Sequence, residues 1–349
     1  MLVTSRIFSL FLGFVNPLTT TMLQSNFNLY VRSLVTALLA CLTFSVQAQA
    51  WPTKPVRMIV PAPAGSSLDI VARLLSDSLK DTWGQAVIVD NKPGAGGLLG
   101  TDLAAKAAPD GHTLVLSFNG PIAFAKNLYK KMPYDAERDL IAVAMTTAQP
   151  NVLAVNAALP VKSVKELIAY AKANPNSLNF ASIGNGSSSH LTMELLKARA
   201  GISLQHVPFN GSPPASLSVA NGETQLLFAV ASGIAPMVKL GKVRLLAVSS
   251  AKRFEQLADL PALAETPNLK GFEAMAWNGL FVAKGTPVEV VNKINRDVNT
   301  ALSSTAIKAR LYAQGMQASP ASSQAFSAMI ASDRQTWGAL IEQLNIKLD

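Results

Sequence analysis

Cysteine is almost missing from this chain. The one thiol in 349 residues is Cys41, and it falls in a segment expected to be removed. The mature chain is then expected to carry no disulfide, no cysteine nucleophile and no zinc–thiolate site. Histidine is scarce too. His112, His190 and His206 are the full set, and no two stand at a ligand spacing such as H-x3-H, so no metal is expected. Charge is thin: 15% of residues are Asp, Glu, Lys or Arg against 49% hydrophobic. That balance gives a globular chain with ample core rather than a disordered one. The net charge is +9, yet no basic run exceeds two residues, as at Lys130-Lys131. Nucleic-acid binders cluster their basic residues or interleave them with aromatics, so no nucleic-acid partner is expected. A scattered excess suits a protein that meets small anions.

Catalytic signatures are lacking as well. No G-x-S-x-G elbow and no Walker A loop occurs. Gly94-Ala95-Gly96-Gly97-Leu98-Leu99-Gly100 resembles a dinucleotide fingerprint only superficially, because Leu99 stands where the third glycine belongs. It reads as a glycine-rich strand-to-helix turn, with no cofactor. Ser187, Ser188 and Ser189 beside His190 make no triad, since triad partners meet in space and not by adjacency. The acid pairs Asp77/Asp81 and Asp135/Glu137 read as solvated charge. His112 follows the turn Pro109-Asp110-Gly111 and reads as a surface residue. His206 alternates with Ile202 and Leu204, which suits a strand packed on the core.

Residues 1–50 contain Arg6 and Arg32 and no acid. The short apolar core 34–46 ends at Ala48-Gln49-Ala50, an A-x-A cleavage pattern. This reads as a secretory signal peptide with Trp51 as the mature N-terminus. The core is too short for a spanning helix. Met22 would make a normal start, so residues 1–21 read as a mis-assigned start or an N-terminal extension. Leu38-Leu39-Ala40-Cys41 has only a loose likeness to a lipoprotein box.

The present features centre on Val60-Pro61-Ala62-Pro63-Ala64-Gly65-Ser66-Ser67-Leu68-Asp69-Ile70-Val71-Ala72-Arg73. An apolar run, 56–60, leads in as a strand. A loop of small residues follows, and Ile70, Val71, Leu74, Leu75 and Leu79 then recur at helical spacing. Ser66, Ser67 or Asp69 can cap that helix. A strand, a small-residue loop and a helix N-terminus offer free N–H groups and a positive dipole end to an anion. Gly186-Ser187-Ser188-Ser189-His190 repeats the pattern in frame with Gly65-Ser66-Ser67-Leu68-Asp69, after another apolar run at 178–183. Gly-Ser loops open helices in many proteins. The expectation is nevertheless that these two face one ligand from two lobes.

Strand and helix signals alternate through the rest of the chain, which predicts an α/β fold with a mostly parallel sheet. Strands are expected at 86–89, 114–118, 152–155, 202–209, 226–230, 243–248 and 280–283. Helices are expected at 99–107, after the capping box Ser163-Val164-Lys165-Glu166, after Pro287, and at 306–314 and 325–344. No flexible linker separates lobes, which suits a hinge built from crossing strands.

The chain resembles the Bug-type solute receptors, the extracytoplasmic binding proteins of tripartite tricarboxylate transporters. The matching segments run the mature length. They include Trp51-Pro52-Thr53-Lys54-Pro55, the loop from Val60 to Asp69, and Asn91-Lys92-Pro93-Gly94-Ala95-Gly96-Gly97. Further on come Ala107-Ala108-Pro109-Asp110-Gly111-His112, Leu128-Tyr129-Lys130-Lys131-Met132-Pro133-Tyr134-Asp135, and Gly184-Asn185-Gly186-Ser187-Ser188-Ser189-His190. The last are His206-Val207-Pro208-Phe209-Asn210-Gly211-Ser212 and the segment Leu245-Leu246-Ala247-Val248-Ser249-Ser250.

The resemblance implies a two-lobed type II periplasmic-binding-protein fold with a central ligand cleft. Lobe one would be 51–151 plus 276–349, and lobe two 152–275. It implies a periplasmic, monomeric receptor for a small organic carboxylate, serving the membrane subunits of a transporter. A sensory module for a receptor ectodomain is one alternative, and a secreted enzyme on the same fold is another. The expected ligand contacts are Ala64, Gly65, Ser66, Ser67 and Asn119 from lobe one. Gly184, Gly186, Ser187, Ser188, His190, Gly211 and Ser212 would close from lobe two. Asp69 is expected to brace the first helix start, and His190 the second. The family's first loop usually reads Pro-Phe-Ala-Ala-Gly-Gly-Gly-Thr-Asp. This chain departs from it at Ala62, Ser66, Ser67 and Leu68. Ala229 stands where the family usually has an Asp that could meet a ligand amine, so a non-amino carboxylate is expected.

Overall fold

A computed structural model describes residues 51–348. The signal-peptide reading, the alternative start at Met22 and Cys41 lie outside the described residues. Two sheets carry the fold. In the first, the strands are β1 (Val56–Val60), β2 (Val87–Asn91), β3 (Thr113–Phe118), β4 (Leu140–Pro150), β10 (Met275–Ala283) and β11 (Gln317–Ala318), in the order β11-β4-β10-β3-β1-β2. In the second they are β5 (Val152–Asn156), β6 (Asn179–Ser182), β7 (Gln205–Pro208), β8 (Leu226–Ala229) and β9 (Val243–Val248), in the order β7-β6-β8-β5-β9.

The sheets are mixed, which corrects the expectation of a mostly parallel one. β1 is parallel to β2 and β3, and β6 to β7 and β8. β10 runs antiparallel to β3 and β4, β11 to β4, and β5 to β8 and β9. The reason lies in the crossings. β4 ends at Pro150 and β5 starts at Val152, so only Asn151 separates the two sheets along the chain. Strands of the β-α-β units end at the space between the sheets, whereas β5 and β10 begin there and run away from it. Ligands of open α/β sheets bind at such carboxyl ends.

Helices cover the sheets. Those of eight residues or more are α1 (Ser67–Trp83), α2 (Leu98–Ala105), α3 (Val164–Ala173), α4 (Ser188–Ala200), α5 (Ser212–Asn221), α6 (Ala231–Lys239), α7 (Val288–Ser303), α8 (Thr305–Tyr312) and α9 (Ser323–Gln343). One apolar cluster joins Met58, Val60, Leu116 and Leu280 to α1 and α7 through Leu75, Ile294 and Val298. Another packs Val152, Ala154 and Leu227 against α5 and α6. No helix among the described residues is long and apolar enough to cross a membrane.

β4, α6 and the two-residue β11 have no counterpart in the sequence reading. β4 is eleven residues of Leu, Ile, Ala, Val, Met, Thr and Gln ending in Pro150, with both faces largely buried. Such a strand shows no alternation, and its Ala residues carry weak β preference. α6 holds Pro236 inside it, which masks a helix in sequence. β10 begins five residues before the expected 280.

Candidate functional site

The first loop–helix unit is set by a short chain of bonds. Gly65 adopts φ 77°, a turn that L side chains resist. Ser66 then caps α1: its Oγ accepts the Asp69 N–H at 3.2 Å. Asp69 reaches back, and its Oδ2 accepts the Gly65 N–H at 3.0 Å. Arg73 donates to both carboxylate oxygens at 3.0 Å. Asn91 donates at 3.0 Å to Asp69 Oδ1 and to the Ala62 carbonyl, tying β2 to the loop. Burial alone would raise the Asp69 pKa. The hydrogen bonds from Arg73, Gly65 and Asn91 outweigh it and hold the carboxyl below its ordinary value. The N–H groups of Ser67 and Leu68, in the first turn, have no intrahelical acceptor.

The second unit repeats this backbone. Gly186 has φ 70°, and Ser187 caps α4 by accepting the His190 N–H at 3.3 Å. Here an imidazole does what the carboxylate does in the first: His190 Nδ1 accepts the Gly186 N–H at 3.2 Å. That bond places the ring proton on Nε2, 3.8 Å from Glu194 Oε1. The ring stacks on His206 with centroids 3.9 Å apart, and His206 stacks on Phe180 at 4.7 Å. His206 Nε2 lies 2.6 Å from Ser182 Oγ. Burial, helped by the mutual repulsion of the rings and by Lys197, pushes His190 down to about 3. Burial and Lys197 push His206 down to about 4. Both rings are neutral at ordinary pH, so the His190–Glu194 approach is no ion pair. His112, read as a surface residue, is instead half-buried beside Trp51 and accepts the Thr53 N–H at 3.2 Å.

Both units open onto one cavity between the sheets, about 590 Å³ including its mouth. Ala62, Pro63, Ser66, Ser67 and Leu68 line it from the first loop, and Ser188 from the start of α4. Gly211 and Ser212 at the start of α5 line it too, as does Val230, which precedes α6. The N-terminal ends of α1, α4, α5 and α6 thus meet one space, and Gly97, which precedes α2, lines it too. Among the described residues, the lining contains no Asp, Glu, Lys, Arg or His. Backbone dipoles and neutral groups therefore carry its polarity, which suits an anion.

Of the residues singled out in sequence, Ser66, Ser67, Asn119, Ser188, Gly211 and Ser212 line the cavity. Ala64 and Gly65 lie exposed on the outer side of the first loop. Gly184, Gly186, Ser187 and His190 are not on the cavity wall. Ser187 Oγ donates to the Gly184 carbonyl at 2.6 Å, and the His190 ring faces Gly186 and His206. All four positions where the first loop departs from the family, Ala62, Ser66, Ser67 and Leu68, lie on the wall. Ala229 does not. It packs with Val152 and Ala231 in the second sheet's core, so the case against a ligand amine rests on the acid-free lining as a whole.

The sequence reading missed Gly94, Gly96 and Gly97, and Ala276, Trp277 and Asn278 of β10. The glycine run was itself the signal for the first group. Trp277 is held by its Nε1 donating to Asp333 at 2.8 Å, and burial pushes that carboxyl up to about 6. The glycines also form a seam where the loops of the two sheets touch. A Cβ on Gly96 would lie 2.3 Å from the Asn185 carbonyl oxygen, and one on Gly184 would lie 2.8 Å from Gly96 Cα.

Two mixed sheets joined by crossing strands, with a cavity free of charged side chains between them, define the architecture of a solute receptor. The chain belongs to the tripartite tricarboxylate transporter receptor family, whose family model matches residues 71–346. A UPF0065 protein of Bordetella bronchiseptica is 38% identical over 314 residues, 90% of this chain and 92% of its own length. Protein BugT of Bordetella pertussis is 35% identical over 304 residues, 87% of this chain and 93% of its own. Among solved structures, Rhodopseudomonas palustris MatC with bound malate aligns with TM-score 0.78 at 30% identity, over 83% of this chain and 100% of its own. R. palustris Rpa4515 with adipate aligns with TM-score 0.83 at 32% identity, over 85% of this chain and 100% of its own.

Proposed function

We propose that this chain is a periplasmic receptor that captures a small organic carboxylate between its sheets and releases it unchanged to the membrane subunits of a tripartite transporter. The observation that carries this is the cavity wall: a convergence of helix N-termini and, among the described residues, no ionisable side chain. Such a wall binds an anion through dipoles. It offers no acid–base pair or nucleophile–base pair for turnover. The malate and adipate held by two structural relatives support a carboxylate. In this reading lobe one is 51–151 plus 276–349 and lobe two is 152–275. Ser66 and Ser67 hold one end of the ligand, and Ser188, Gly211 and Ser212 close on the other. Closure shifts an open–closed equilibrium that the membrane partner reads.

A thermal-shift screen of organic acids tests the proposal, because a ligand that binds only the native state raises its melting temperature. Malate, succinate, citrate and adipate are the first candidates, with aspartate and glutamate beside them. The expected result is a shift from at least one non-amino acid. Failure of every carboxylate, or tighter calorimetric binding of aspartate or glutamate, would overturn it.

A further inference from the structure

The loop Gly184-Asn185-Gly186 follows β6 of the second sheet and meets loops of the first sheet at several points. A Cβ on Gly96 would lie 2.3 Å from the Asn185 carbonyl oxygen, and one on Gly120 would lie 3.0 Å from the Gly186 carbonyl oxygen. A Cβ on Gly186 would lie 2.8 Å from Leu128 Cδ1. Backbones this close leave no room for a side chain, so the seam closes only if the loop keeps its path.

Two stacked rings of the second sheet hold that path at both ends. His190 Nδ1 accepts the Gly186 N–H at 3.2 Å. At the other end Ser182 Oγ accepts the Gly184 N–H at 3.2 Å and lies 2.6 Å from His206 Nε2. Ser182 is fully buried, so its hydroxyl hydrogen needs an acceptor. His206 Nε2 is the acceptor within reach. That bond aims a lone pair of Ser182 Oγ at Gly184. The two imidazoles stack with centroids 3.9 Å apart and planes within 9°, so the two supports form one block.

Both supports need a neutral ring. An imidazolium has two N–H groups and no acceptor, so a proton on either ring would set donor against donor. The charged groups facing the stack are Lys197 and Glu194 of α4, paired with each other at 2.8 Å. β6, β8 and the turn Pro267–Leu269 add none, and β7 adds none besides His206. His206 does not line the cavity. We infer that His206 is a positioning residue for ligand capture: through Ser182, and stacked on His190, it fixes the loop that closes on the first sheet. The effect on affinity rests on the carboxylate-receptor reading; the effect on the loop does not.

His206→Phe separates positioning from packing, because a phenyl ring keeps the stack but cannot accept from Ser182. The melting temperature at pH 7 should change little. Calorimetry of the mature protein with malate and adipate at pH 7 should show about fivefold weaker binding of whichever acid binds. Ser182→Ala should weaken it about equally, and the double variant no further, since both break one chain of bonds. The ratio of wild-type to His206→Phe affinity should shrink as pH falls from 6 toward 4, where His206 takes up a proton; the ratio cancels the ligand's own titration. Without ligand, amide exchange at Gly184 should speed up about fivefold while that at Gly65 holds. Should His206→Phe not fold, Ser182→Ala carries the affinity and exchange readings. Unchanged affinity and Gly184 exchange in a folded variant, or additive losses in the double variant, would overturn the inference and leave the carboxylate reading standing. If neither acid binds, the carboxylate reading weakens, and Gly184 exchange still decides whether His206 positions the loop.

Discussion

At Gly65 the chain turns with φ 77°, and at Gly186 with φ 70°. The caps that follow, Ser66 at φ −72°, ψ 162° and Ser187 at φ −73°, ψ 163°, nearly coincide. Four residues after each glycine a side chain accepts its N–H, but the acceptor is a carboxylate in one unit and a neutral imidazole in the other. Surroundings account for the choice. Asp69 sits under Arg73, whose side chain is 56% exposed, so charge can be compensated and hydrated there. His190 lies between His206, Phe180 and the body of α4, where an ionised acid would lack water and would face Glu194, which already holds Lys197. One backbone device is thus built twice with the chemistry each depth permits, and neither version leaves net charge facing the ligand.

Exchanging the braces breaks this comparison most severely. His190→Asp would bury an uncompensated carboxylate and cost roughly 3–5 kcal/mol. Asp69→His, buried beneath the exposed Arg73, would lose the bonds to Gly65 and Arg73 and should cost about 1–2 kcal/mol. Urea unfolding of the two variants reads the difference directly, and equal losses would contradict the account. Next in size is the seam. Gly96→Ala places a methyl 2.3 Å from the Asn185 carbonyl oxygen, so closure should weaken by about 2 kcal/mol, read as ligand affinity with the melting temperature less affected.

Acid separates the units more gently. His190 and His206 titrate near 6.5 when unfolded and near 3 and 4 when folded. Between those values the unfolded chain binds protons that the native one refuses. Their contribution is therefore complete above about pH 6.5 and is lost as pH falls toward 4 and then 3, by up to about 1.4 kcal/mol per pH unit for each ring. Asp69 has a lowered folded pKa, so its contribution holds until pH drops below the ordinary carboxylate range. Melting curves from pH 7 to 4 should fall, and His206→Phe should flatten them, whereas Asp69→Asn should leave their shape unchanged. The smallest effects belong to the caps. Ser66→Ala and Ser187→Ala should each cost about 1 kcal/mol, and nearly the same, since their geometries match.

Much of this was legible in the residues. The serine caps, the glycine turns and the in-frame echo follow from local rules, because each is satisfied within five residues. What could not be read there depends on distant partners. β4 is buried on both faces and so lacks a period. The wall residues Ala276, Trp277 and Asn278 reach the cavity only because β10 pairs with both β3 and β4. His190 looked like a ligand contact by position, and only the stack on His206 shows why its ring turns inward. The matching of Gly96 to Asn185 joins loops far apart in sequence, which no window on the chain contains.

The central claim is that helix dipoles, without any charged side chain, hold a carboxylate. Calorimetry of the mature protein with malate and with its neutral diamide tests it most directly. The account predicts that the acid binds at least about a hundredfold tighter, on the order of 3 kcal/mol, and that the gap shrinks little with added salt because the helix ends would meet the carboxylate in direct contact, well within a Debye length. Equal affinity for acid and diamide would contradict it.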